Sequence, residues 1–183
     1  MGASIVLDPY DVYRLQQGTG MDLSGLLAGE KVELNVVDGM ILPNLKMVGV
    51  EEKCAFLNEE GRCSIHASRP GICRLFPLGR FYEDGDFKYF LQTGECTDTN
   101  RSKVKVSKWI DTPDLARNHD FICTWHYFLN ELEEIVGDLE DMELGKRLNM
   151  LMLKMFYLTP YEVESDFYGQ FEERMEQFRS LLG

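Results

Sequence analysis

Two Asp-Gly dipeptides, Asp38-Gly39 and Asp84-Gly85, constrain the first half of this chain. Asp-Gly accepts the left-handed backbone that a two-residue hairpin turn demands. VELNVVDGMILPNLKMV therefore reads as one hairpin and RFYEDGDFKYFLQ as another. CAFLNEEGRCSIH resembles a further tight reversal, with Gly61 at its turn. SIVL reads as a short strand. After it, Asp8 caps a helix that has Pro9 at its first position and continues through YDVYRLQQ until GTG stops it. SKVKVSKW alternates like an edge strand whose lysines face water.

Beyond Asp111 the texture changes. Thr112-Pro113 opens a helix expected to run to about Val136, and a second covers roughly Met142 to Leu158. Thr159-Pro160 starts a third, along which Phe167, Phe171, Met175, Phe178 and Leu182 recur at helical spacing. A strand-rich first half followed by a helical second half is α+β. The expectation is one domain over residues 1–183, with a cysteine-bearing part at 1–110 and a helical part at 111–183.

A hydrophobic content of 44% supports a packed core, while the longest strictly apolar runs are 4 residues, far short of a bilayer span. The N-terminus lacks a basic start followed by an apolar stretch, so the expected location is cytoplasmic. The formal net charge of -12 argues against broad nucleic-acid binding, which needs Lys and Arg to displace phosphate counterions, and against an anionic membrane surface. Another protein is the expected class of partner, and a small basic patch could still hold an anionic ligand.

Four of the five cysteines, Cys54, Cys63, Cys73 and Cys96, are separated by intervals of 8, 9 and 22 residues; Cys123 stands apart. In a reducing compartment clustered thiols serve as metal ligands or redox groups more often than as structural disulfides. Thiolates suit zinc and iron–sulfur clusters equally, and the plain alternative is small buried core residues. Spacing alone does not choose, because the chain has no C-x-x-C pair.

The flanking residues say more. CAFLNEEGRCSIHASRPGICRLFP resembles the C-x-FL…G-x-C-x-IY-x-x-RP-x-x-CR-x-FP pattern of the CxxCxxCC cysteine-cluster family of zinc- or iron-chelating proteins. SIVLDPYDVYRL matches the segment that precedes it there, and GECTDTN fits the later cysteine, so the resemblance covers roughly residues 4–100. It implies metal ligation by Cys54, Cys63, Cys73 and Cys96. His66 stands where the family usually has Tyr, and a core or hydrogen-bonding histidine is favoured there over a ligand. The tight N-terminal cysteine cluster for which the family is named is lacking, so a single four-cysteine centre is the most that the matched positions build.

From Gly61 to Tyr82 there is no Asp or Glu, although the chain is acidic overall. Four thiolates around one Zn²⁺ carry a charge near -2, which needs nearby cations and N–H donors. Arg62, Arg69, Arg74 and Arg80 can supply both, and Arg69 and Arg74 are the expected contacts to the bound group; pairing with surface carboxylates is the alternative. Pro70 can open a short helix through GICRLF.

His119, Cys123 and His126 share one face of the first C-terminal helix and could bind a second metal, although FICTWHYFL is also what a buried helix looks like. Met142, Met150, Met152 and Met155 read as core or as a docking surface. Arg101, Lys103, Lys105 and Lys108 read as a solvated edge.

The expected function is metal binding by a four-cysteine zinc or iron(-sulfur) centre. The alternatives are a structural zinc module that presents helices to a protein partner, and an enzyme similar to the iron–sulfur protein-lysine methylases that some relatives resemble. No glycine-rich nucleotide loop is evident, and no Ser/His/Asp or Cys/His pairing that spacing alone would make catalytic, so no catalytic residue is assigned.

Overall fold

The computed structural model describes residues 5–94, 103–139 and 141–182. It is α+β, with short antiparallel strand pairs in the N-terminal half and helices in the C-terminal half. The chain divides into two compact units, one drawn from Met1–Pro70 and Glu131–Gly183, the other from Gly71–Asn130.

In the first unit, α1 (Pro9–Thr19) begins as the sequence predicts. Asp8 and Asp11 form a reciprocal capping box, and Gly20 ends the helix at φ 72°. The short α2 (Leu23–Ala28) is capped by Asp22. Strands β1 (Val32–Val37) and β2 (Met40–Leu45) pair through the first Asp-Gly turn, where Asp38 and Gly39 both take positive φ, 49° and 82°. The expected SIVL strand shrinks to a single bridge between Val6 and Asn44, because the Asp8 cap turns the chain into α1 at once. A two-residue pair, β3 (Met47–Val48) with β4 (Lys53–Cys54), follows.

The same unit holds α6 (Met142–Leu153), which widens into a π-helical turn over Lys154–Leu158. Phe156 and Tyr157 are buried there, and the Tyr157 hydroxyl donates to the Leu7 carbonyl at 2.9 Å. The last helix, α7 (Phe167–Leu182), buries Phe167, Phe171, Met175 and Phe178, the stripe read from the sequence; Leu182 is exposed. It starts later than Thr159-Pro160 suggests. Arg174 donates to the carbonyls of Met155, Thr159 and Pro160 at 2.7–2.8 Å, which holds that stretch out of a helix. Asp166 caps instead, accepting from Gly169 N at 2.8 Å.

In the second unit, α3 (Gly71–Leu75) follows Pro70, and β5 (Leu78–Glu83) pairs with β6 (Asp86–Leu91) through the second Asp-Gly turn. Of the expected SKVKVSKW strand, the described residues 103–109 do not form one. Residues 103–105 are irregular and Val106–Ile110 is a short helix, α4. Burying Ile110 and donating the Trp109 indole N–H to Phe76 O at 3.0 Å outweighs the local alternation. The long α5 (Leu115–Asp138) has residues 115–130 in this unit and 131–138 in the first.

Candidate metal centre

Cys54 closes β4, and the chain then reverses. Asn58 organises the turn: its side-chain oxygen accepts from the backbone of Glu60 at 3.1 Å and of Arg62 at 2.8 Å, and its carbonyl accepts from Gly61 N at 2.9 Å. Gly61 sits at φ 72°, where a glycine is at little steric cost. Leu57 then bridges to Cys63, and the backbone and hydroxyl of Ser64 both donate to Phe56 O at 2.8 Å. The reversal read from the sequence is thus real, and it places Cys54 and Cys63 on one small scaffold.

Both are free, half-buried thiols. Burial pushes the Cys54 thiol up, and a charge on Cys63 pushes it further; the Phe56 backbone N–H and the Lys31 ammonium pull it down. Lys31 is fixed by donating to Ala55 O at 2.9 Å and lies 5.7 Å from the centre of the Phe56 ring. Two thiolates that oppose each other when bare are held together by a shared cation, so this donor pair fits a zinc or iron ion. Lys31 is outside the acid-free island and was not legible in the sequence as part of the site.

Cys73, in the second unit, is half-buried on α3, and Cys96 lies outside the described residues. Of the island's arginines, Arg62 is exposed beside Glu60 at 3.9 Å, a surface pairing. Arg69 is half-buried. Arg74 is buried on the same helix as Cys73 and donates from Nη1 to Asp111 O at 2.5 Å. Arg80 lies over the Phe87 ring at 5.3 Å. His66 is exposed in a 3₁₀ turn, so a core histidine is not what stands there.

The helix face expected to present His119, Cys123 and His126 is arranged differently. His126 is turned to Tyr82 of β5, their rings stacked at 3.6 Å, and burial lowers its imidazole from the usual range. Its place in the cluster is taken by Asp86, the first residue of β6. His119 Nε2 lies 2.9 Å from Asp86 Oδ1 and Cys123 Sγ 3.9 Å from the same oxygen. Burial raises the Cys123 thiol first, and the Asp86 and Asp120 carboxylates add to the rise. Asp86 had no local signal: only the seating of the hairpin turn on α5 brings it there.

Residues 27–102 match the CxxCxxCC family. That family is described as a "putative zinc- or iron-chelating domain". The CxxCxxCC match includes Cys54, Cys63, Cys73 and Cys96 and begins after the α1 segment, a later start than the resemblance in the sequence suggests. Searches of curated proteins and of solved structures give no match. No helix among the described residues is long and apolar enough to cross a membrane.

Proposed function

We propose that this protein chelates one zinc or iron ion, or an iron–sulfur cluster, through Cys54, Cys63, Cys73 and Cys96. The observation that carries the reading is the Cys54–Cys63 scaffold: two free thiols on one Asn58-organised turn, inside the segment that matches a chelating domain. Bound metal would replace the thiol protons and cross-link the segment, so its binding free energy would be folding free energy. Lys31 offsets thiolate charge at Cys54, and Arg69 and Arg74 flank Cys73.

The test is purification of the full chain under reducing, anaerobic conditions, followed by elemental analysis and a visible absorption spectrum. Zinc gives a colourless protein and a cluster a coloured one. Cys63→Ser and Cys73→Ser should each lower the metal content and destabilise the chain. Unchanged metal content in both variants would refute the ligand set.

A further inference from the structure

Within the second unit, the β5–β6 turn and the first turns of α5 gather three unlike ligands that the cysteine motif does not use. The ligand atoms of Asp86, His119 and Cys123 all lie within 4.8 Å of one another. Tetrahedral zinc, with ligands at about 2.0–2.3 Å, separates its ligand atoms by roughly 3.3–3.8 Å. The separations of 2.9 Å from Asp86 to His119 and 3.9 Å from Asp86 to Cys123 therefore need only small side-chain shifts to admit an ion.

The backbone that carries these groups is fastened in place. The Tyr127 hydroxyl accepts from Gly85 N at 3.0 Å and donates to Asp86 O at 3.4 Å, which pins the hairpin turn to α5 one helical turn beyond Cys123. The Phe87 ring packs on the His119 ring at 4.5 Å. The far nitrogen of that imidazole, Nδ1, faces Asp120 Oδ1 at 3.5 Å, in the position of the carboxylates that commonly orient metal-bound histidines.

Charge and hardness narrow the ion. A thiolate, a carboxylate and a neutral imidazole together balance a dication, so the loaded site is neutral. Magnesium and calcium take all-oxygen shells, and iron–sulfur clusters are held mainly by thiolates. A mixed sulfur, nitrogen and oxygen set suits a borderline ion. Asp86 is exposed and the other two residues are half-buried, which leaves one side of the cluster open to solvent.

We propose that Asp86, His119 and Cys123 form a second, separate metal site for a zinc-class divalent ion, with water in its fourth position. This site does not depend on the four-cysteine reading.

The experiment is a Co²⁺ titration of the reduced, metal-free full chain, because cobalt reports thiolate ligation by its absorption. Cys123→Ser and His119→Gln should each bind one equivalent fewer where the parent saturates, because each variant's affinity for that equivalent falls at least about a hundredfold, beyond what loss of an outer partner costs. Asp86→Asn, which keeps a neutral oxygen, should lose about tenfold. Direct evidence without mutation of the parent comes from NMR: zinc should shift the imidazole resonance that is missing in His119→Gln and leave the one missing in His126→Phe in place. Equal cobalt uptake and equal spectra in parent, Cys123→Ser and His119→Gln would overturn the proposal, as would a His119 resonance indifferent to zinc. A single equivalent lost in Cys63→Ser and kept in Cys123→Ser would overturn this site while leaving the four-cysteine reading intact; the opposite pattern would do the reverse.

Discussion

Asn149→Ala tests how the first unit holds the hairpin that leads into the cysteine turn. Asn149 is 5% exposed on α6. Its side-chain oxygen accepts from Ile41 N at 2.8 Å, and its amide donates to Gly39 O and Gly145 O, both at 3.3 Å. Truncation leaves the Ile41 N–H half-buried without its acceptor, at a cost of about 1–3 kcal/mol. Gly39 is exposed and its carbonyl passes to water, so that bond contributes little. Gly145 O has its intrahelical partner as well, so its loss is also small. Removing three buried heavy atoms adds a modest packing term. The total comes to about 2–3 kcal/mol, a large part of the 5–15 kcal/mol typical of a folded domain. Urea unfolding followed by circular dichroism measures the change, and hydrogen exchange at the Ile41 amide locates it. Asn149→Leu fills the volume without restoring the acceptor, so it should be no better than the alanine variant. A loss under about 0.5 kcal/mol in Asn149→Ala, or a neutral leucine variant, would refute the assignment of the cost to the Ile41 bond.

Two other outcomes follow from the electrostatics. In metal-free protein, Lys31→Met removes the cation that pulls the Cys54 thiol down, so alkylation of Cys54 near pH 8 should slow by a few-fold, about what a modest loss of thiolate gives, while Lys31→Arg should retain the parent rate; peptide mapping checks both, and equal rates in all three would refute it. The His126 imidazole is lowered by burial between Tyr82 of β5 and Tyr127 and Asn130 of α5. A depressed base contributes stability above its unfolded value of about 6.5 and loses it as the pH falls through the folded value. Unfolding free energy measured from about pH 7 down to pH 5 should therefore fall more steeply in the parent than in His126→Phe, which keeps a stacking ring without a titrating proton; parallel profiles would contradict the sign.

The sequence by itself determined whatever depends on a residue and its near neighbours. Both Asp-Gly turns form because the left-handed backbone they need is a local property of those pairs. The Asp8–Pro9 helix start, the Pro70 start of α3 and the Gly61 reversal form for the same kind of reason. The cysteine motif was legible because its residues lie close along the chain, and the family match spans the same segment. Tertiary structure decided the rest. SKVKVSKW alternates like a strand, yet burying Ile110 turns Val106–Ile110 into a helix. The start of α7 is delayed because Arg174 reaches back to carbonyls that a longer helix would have used. Lys31 meets the Cys54 turn across a separation of 24 residues to Ala55, and Asp86 meets Cys123 across 37. Such meetings depend on the packing of distant elements, where a short pattern carries no information. Helical periodicity put His119, Cys123 and His126 on one face, but the neighbouring hairpin determined their partners: Tyr82 took His126 into a stack, and Asp86 completed the cluster.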